Sequence, residues 1–194
     1  MTRPPLILAS ASPRRLALME QIGWTPDKVI PADIDETPLK GELPAPYVMR
    51  IALGKGSKIA KENPDAFVLA ADTTVACGRR IMGKAETEEE ERAFLKLLSG
   101  RRHKVITGIV VFAPKGKKSQ RIVTTTVSFR PLSEQDINTY IKSGEWKGKA
   151  GGYAIQGLGA TFAKSFSGSY TNVVGLSLYE TTQMLKGLGF HAQD

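Results

Sequence analysis

The sequence predicts an α/β fold, and three observations carry that prediction. Short apolar runs at residues 6–9 and 67–71 alternate with stretches of helical periodicity at 13–22 and 46–62. Helix start and stop signals punctuate these stretches: Ser12-Pro13 before the first, Gly23 after it, and Asn63-Pro64 after the second. A long hairpin pattern then joins residues 105–113 to residues 121–130, adding an antiparallel pair to the alternating units.

Taken in order, residues 6–9 form a strand that runs into Ser10-Ala11-Ser12-Pro13-Arg14-Arg15. Ser12 is suited to the N-cap, where its hydroxyl accepts from a first-turn amide, and Pro13 to the first helical position. A helix start here turns free amides and a partial positive charge toward the strand end, and the paired arginines add full charges. Together these residues predict an anion site. In the second helical segment Gly54 and Gly56 weaken the pattern. Phe67-Val68-Leu69-Ala70-Ala71 reads as a short buried strand closing on Asp72, the strand-end position where open α/β sheets place reacting groups.

Cys77-Gly78-Arg79-Arg80 reads as a turn leading to Ile81-Met82-Gly83-Lys84. Thr87 begins a helix through a capping box with Glu90, and the acidic first turn at residues 88–91 suits the helix dipole, a structural role. Gly100 ends that helix. Alternation through Ile122, Thr124, Thr126 and Ser128 marks the second hairpin strand. Lys115-Gly116-Lys117-Lys118 reads as its solvated tip. Ser133 caps a further helix that Gly144 terminates, residues 150–162 are glycine-rich, and a last helix spans residues 178–188. No repeat or long linker divides the chain, so residues 1–194 are expected to form a single domain with two lobes around a cleft.

Net charge is +8, which favours anionic partners, but the basic residues are scattered and few aromatics lie among them. A base-stacking nucleic-acid surface is therefore not indicated. There is no apolar run of membrane-spanning length. Met1-Thr2-Arg3-Pro4-Pro5 lacks the apolar core and cleavage site of a secretory signal, and Cys77 is the single cysteine, so a reducing, cytoplasmic location is expected.

Familiar nucleotide motifs are missing. There is no G-x-x-x-x-G-K-[ST] loop, and Gly157-Leu158-Gly159 lacks the third glycine and following helix of a dinucleotide fingerprint. His103 and His191 are the two histidines, too few for a metal cluster, and no Ser-His-Asp triad is evident. The chemistry falls to carboxylates and cations. Asp72 is a candidate general base or magnesium ligand, or else a turn-capping residue. Asp33-Ile34-Asp35-Glu36-Thr37 superficially fits the D-x-D-x-T pattern of aspartyl-phosphate phosphatases, but Pro31 precedes it where a buried strand is required. Asp35 and Glu36 remain candidate metal ligands. Lys55 and Lys84 each neighbour glycine, which clears a path for an ammonium to reach phosphate. Gln156, in the glycine-rich stretch, offers both a donor and an acceptor, as a pyrimidine edge requires.

In combination these segments resemble the Maf family of nucleoside triphosphate pyrophosphatases. The resemblance rests on Ser10-Ala11-Ser12-Pro13-Arg14-Arg15, Asp35-Glu36-Thr37, Lys55, Ala71-Asp72-Thr73, Gly83-Lys84, Ala150-Gly151-Gly152-Tyr153 and Ile155-Gln156-Gly157, in that order along nearly the whole chain. It implies a Maf/ITPase-like fold, a mixed twisted sheet flanked by helices with a central substrate cleft, in a protein that is often a homodimer. It implies cleavage of a nucleoside triphosphate between the α and β phosphates, giving a monophosphate and pyrophosphate, with a divalent cation, Mg²⁺ or Mn²⁺. By the same resemblance Asp72 is the proton acceptor. Ser10, Arg14, Arg15, Lys55 and Lys84 contact phosphate, and Glu36 with Asp72 holds the metal.

One branch of the family prefers dTTP and UTP, and Arg14, Thr73 and Gln156 match the residues that mark it. The branch acting on 7-methyl-GTP carries tryptophan, glutamine and glutamate there, and none of these is present. The resemblance also implies house-cleaning of nucleotide pools and a link to septum formation. A nucleic-acid-binding division regulator is the rival expectation. One departure is visible: Ala85 stands where the family usually has proline after the motif lysine, which predicts a less rigid loop and an altered rate.

Overall fold

A computed structural model describes residues 3–191; Met1, Thr2 and residues 192–194, included in the expected single domain, lie outside the described residues. Among the described residues seven strands form one mixed sheet: β1 (Leu6–Leu8), β2 (Lys28–Val29), β3 (Phe67–Cys77), β4 (Arg80–Met82), β5 (Arg102–Phe112), β6 (Lys118–Phe129) and β7 (Ala163–Ser167). The strand order is β2-β1-β3-β5-β6-β7, with β4 attached to β3. Pairings of β1 with β2 and β3 are parallel; those of β3 with β4 and β5, and of β6 with β5 and β7, are antiparallel. The helices are α1 (Pro13–Gln21), α2 (Pro44–Glu62), α3 (Glu88–Leu98), α4 (Glu134–Ser143), α5 (Tyr170–Val174) and α6 (Leu178–Gly187). Among the described residues no helix is long and apolar enough to cross a membrane.

The two sheet faces are covered differently. Side chains alternate across a strand, and on β3 the even-numbered residues face α2: Val68 and Ala70 pack with Ile59, and Ala76 with Val48 and Ile51. The odd-numbered residues meet two clusters on the opposite face. Leu69 and Ala71 join Leu18, Met184 and Leu185 from α1 and α6. Val75 joins Leu95, Ile137 and Trp146 from the α3–α4 side.

Glycines let α2 lie close to the sheet. A Cβ on Gly108 of β5 would sit 2.6 Å from the Val48 carbonyl oxygen, and one on Gly56 would sit 2.6 Å from the Phe112 ring. Gly54 and Gly56 therefore do not interrupt the helix. The packing they permit outweighs their weak helix propensity.

Three local expectations are corrected, and a fourth gains its facing. The strand expected to close on Asp72 continues for 11 residues, with Asp72 near its middle, because β5 pairs with it from Val68 to Ala76. Ser12 occupies the N-cap of α1, but its hydroxyl makes no capping bond. Thr87 does accept from the Glu90 amide, yet the Glu90 carboxylate accepts from Glu86 rather than completing the box at Thr87. In β6 the buried set is Thr125, Val127 and Phe129, so the alternation through Ile122, Thr124, Thr126 and Ser128 describes the outward face. By contrast, α4 has a full capping box from Ser133 and ends at a left-handed Gly144, φ 68°. The tip at Lys115–Lys118 is largely exposed, as expected of a solvated turn.

Candidate active site

One edge of β3 has a gap. Its first residues pair with β1, ending at Leu8 opposite Leu69, and its last pair with β4, starting at Val75 opposite Met82. Among the described residues no strand pairs with residues 70–74 on that edge, and Asp72 lies in the opening. The chain leaving β1 passes one side of the gap as Ser10–Arg14; the chain leaving β4 passes the other as Gly83-Lys84. A cavity of about 610 Å³ occupies the space between them. Its lining includes each residue that the resemblance assigns to the site, Ser10, Arg14, Arg15, Glu36, Lys55, Asp72, Thr73, Lys84 and Gln156, whereas Asp35, the other candidate metal ligand, does not line it.

Asp72 is only 7 % exposed. Lys55, brought down on it by α2, donates from Nζ to Asp72 Oδ1 at 2.9 Å and also meets Glu36 Oε1 at 2.8 Å. Burial is the largest influence on Asp72 and raises its proton affinity; Lys55 and Arg15 oppose this, and Glu36 reinforces it. The net result lies above the ordinary aspartate value, the direction useful to a general base. Glu36 sits in an irregular segment held at several points. Tyr47 donates its hydroxyl to the Glu36 carbonyl at 3.0 Å, and Arg50 donates to the Thr37 carbonyl at 3.0 Å. The Asp35 carboxylate accepts from the Thr37 amide at 2.9 Å, a turn-forming role. Asp33 lies in the same irregular segment, so the buried strand demanded by an aspartyl-phosphate nucleophile is not present there.

Arg15 and Thr73 form a second layer on the other face of β3. Arg15 is buried and donates through Nε to the Gly175 carbonyl (2.8 Å), through Nη1 to Ser10 Oγ (3.2 Å) and through Nη2 to Thr73 Oγ1 (3.1 Å). Thr73 Oγ1 also lies 2.9 Å from Thr107 Oγ1 and 3.2 Å from the Gly175 carbonyl. Ser10 Oγ accepts from the Ser12 amide as well, at 3.1 Å. The arginine fork thus ties the serine turn, β3 and the end of α5 together, while Arg14 remains half-exposed in the cavity.

Lys84 and the glycine-rich stretch meet through an isolated bridge between Lys84 and Ala150, supported by Gly151 donating to the Gly83 carbonyl at 2.8 Å. Lys149, in the same wall, was not expected at the site. Its flanking glycine, Gly148, is the signal that singled out Lys55 and Lys84. Burial is the main influence lowering its pKa, and nearby Arg14 adds to it. Ala85 is buried against the α3–α4 cluster. His103 is structural: buried, 2.8 Å from the Tyr153 hydroxyl and pushed down to about 4 by burial.

The donor chemistry fits a hard divalent cation. Two carboxylates, Asp72 and Glu36, converge on the Lys55 ammonium, and oxygen donors of this kind hold Mg²⁺ or Mn²⁺ when substrate phosphates complete the shell. Among the described residues no cluster of three or more His, Cys, Asp or Glu side chains forms an all-protein metal cage.

Comparison with known proteins places the chain in a family. A relative from Paramagnetospirillum magneticum named dTTP/UTP pyrophosphatase is 58 % identical over 185 residues, covering 95 % of this chain and 97 % of its own length. A second of the same name, from Caulobacter vibrioides, is 56 % identical over 187 residues, covering 96 % and 97 %. A solved HAM1 protein from Coxiella burnetii superposes with a TM-score of 0.52 at 16 % identity over 95 % of this chain and 99 % of that one, a likeness of fold alone. The family described as Maf-like protein matches residues 5–188, and the chain belongs to that family.

Proposed function

We propose that this protein hydrolyses dTTP and UTP to the nucleoside monophosphate and pyrophosphate. The observation that carries this reading is the cavity at the gap in β3, where a buried carboxylate stands among cations suited to a triphosphate tail. The shared name of the relatives supports the substrate class. Arg14, Thr73 and Gln156 all line the cavity, which supports the pyrimidine branch.

The residues act as follows. Arg14, Lys84 and Lys55 bind the phosphates, and Arg15 holds Ser10 and Thr73 in register beside them. Asp72, largely buried and with a raised proton affinity, takes a proton from water as the water oxygen attacks the α-phosphorus. The bond from that phosphorus to the α–β bridging oxygen breaks, and pyrophosphate leaves. Such a base contributes about 10²–10⁴-fold. Asp72 and Glu36 would hold Mg²⁺ or Mn²⁺, which when bound neutralises charge on the phosphate oxygens. Gln156 pairs with the pyrimidine edge through its amide.

A product-resolved panel of canonical and modified triphosphates tests the reading. Pyrophosphate release with dTTP and UTP preferred is expected; orthophosphate release would overturn it. Asp72→Asn is expected to lower turnover by about 10²–10⁴-fold while nucleotide binding persists, and near-normal turnover in that variant would remove Asp72 from its role.

A further inference from the structure

Gln156 can read a base only if its backbone is fixed, and the local structure around it is slight. It occupies a corner of a turn in which Gly157 donates to the Ala154 carbonyl at 3.3 Å. The side chain is exposed in the cavity, and no regular element contains it. Ile155 anchors one side of the turn in the α1–α6 cluster. What holds the backbone on both sides of Gln156 is a pair of residues behind the cavity wall.

Tyr140 lies on the buried face of α4, its ring 5.1 Å from that of Phe162. Its hydroxyl accepts from the Ala154 amide at 3.2 Å and donates to Glu145 Oε1 at 3.1 Å. Glu145 then accepts from the Leu158 amide through Oε2 at 2.8 Å and from the Gly159 amide through Oε1 at 3.0 Å. Those two amides open the short 3₁₀ turn Leu158–Thr161, so the carboxylate satisfies donors that no backbone acceptor reaches. One Tyr–Glu pair thereby holds the chain before and after Gln156.

The fit is close. A Cβ on Gly157 would lie 2.0 Å from Glu145 Oε2, so the carboxylate rests against bare backbone. Burial works against ionisation of Glu145, but the Gly159 and Leu158 amides, the Tyr140 hydroxyl and Lys149 outweigh it and hold the carboxyl below its ordinary value. Glu145 itself is set by the left-handed Gly144 and by its amide donating to Ser143 Oγ at 3.2 Å. Its carbonyl accepts from Lys149 Nζ at 2.6 Å, which links the same residue to the cationic wall. Neither Tyr140 nor Glu145 lines the main cavity.

We propose that Tyr140 and Glu145 are positioning residues that fix Gln156 and thereby set base selection, an inference that rests on the nucleotide hydrolysis proposed above. They touch no reacting atom. Their effect falls on how well the base is held, hence on KM and on discrimination, with the phosphate chemistry at Asp72 left largely intact.

The test is a double-mutant cycle on the full chain. Glu145→Gln keeps the size but turns an amide group toward backbone donors. It is expected to raise KM for dTTP by about tenfold, the scale of one unsatisfied buried donor. Turnover is expected to stay within about threefold. The ratio of kcat/KM for dTTP over dGTP falls. Tyr140→Phe keeps the ring packing, shifts both quantities in the same direction, and carries the test alone if Glu145→Gln has lost its native circular dichroism. In a Gln156→Ala background, Glu145→Gln is expected to add less than about twofold, because the two act through one element. Effects that multiply independently of Gln156, or an equal loss on every nucleotide, would overturn the proposal. A wild-type protein that ignores dTTP and UTP would instead overturn the pyrimidine assignment, and the same cycle on its preferred nucleotide would still judge the clamp.

Discussion

Glu91 shows how much a single side chain can differ from its sequence context. It ends an acidic first turn on α3, where a dipole-matched structural role is expected, yet it is 0 % exposed and neither carboxyl oxygen has a hydrogen-bond partner among the described residues. The carboxyl presses on Gly152, where a Cβ would lie 1.6 Å from Oε2. Burial pushes its pKa up to about 9 from 4.5. The group is therefore protonated near neutrality, and the sign of the linkage follows. With the folded value above the unfolded one, its contribution to stability is fully present below pH 4.5 and is lost as pH rises toward 9. Glu91→Leu is expected to stabilise the fold by about 1–3 kcal/mol through removal of an unsatisfied buried polar group. Thermal melts of variant and wild type at pH 5 and pH 8 should diverge with rising pH, by up to about 1.4 kcal/mol per unit. A gain that is constant with pH would refute the buried, protonated assignment. Nothing local in Glu88-Glu89-Glu90-Glu91 distinguishes the buried member; the helical phase against α4 and the glycine-rich stretch does.

At the scale of elements, the approach of α2 to the sheet delivers Lys55 to Asp72. Gly108 stands opposite Asp72 in the register of β3 with β5, and it gives the Val48 carbonyl room. Gly108→Ala is expected to push the helix outward, lowering stability by about 1–3 kcal/mol as overpacking does. It should also lower kcat/KM, because Lys55 rides on the same helix. Chemical denaturation and steady-state kinetics on one preparation check both, and an unchanged kcat/KM would separate the helix position from the chemistry. The helix itself was legible in its periodicity, although its glycines read as weaknesses, since propensity is local and close packing is not. The length of β3 was hidden for the same reason. Asp72-Thr73-Thr74 looks like the end of a buried strand, and only the long partner β5 keeps it extended. The two-residue β2, β7 and the short α5 carried little signal, being too brief for a periodic pattern.

Across the whole molecule, the expected lining residues come from many elements and from irregular chain, and they meet at one gap in the sheet edge. A triphosphate bound there bridges the α1–α6 cluster and the α3–α4 cluster, so binding is expected to stabilise the entire fold. At 100 times its dissociation constant a nucleotide adds about 2.7 kcal/mol, roughly 5–11 °C for a chain of this size. Asp72→Asn should retain that shift with dTTP in a thermal melt; its loss would mean that the aspartate serves binding and not proton transfer. The sequence by itself determined the α/β class, the serine turn with its arginines and the main helices, because capping, periodicity and short motifs are local properties of the chain, and it offered the candidate site residues through a resemblance spread along nearly the whole chain. Only the tertiary structure decided where those residues meet. It placed Asp72 in a sheet gap, engaged Arg15 with Ser10, Thr73 and Gly175, brought Lys149 into the wall, buried Glu91 and set Tyr140 with Glu145 behind Gln156. These depend on strand pairing and on helices closing over the sheet, which couple residues far apart in sequence and leave no local trace.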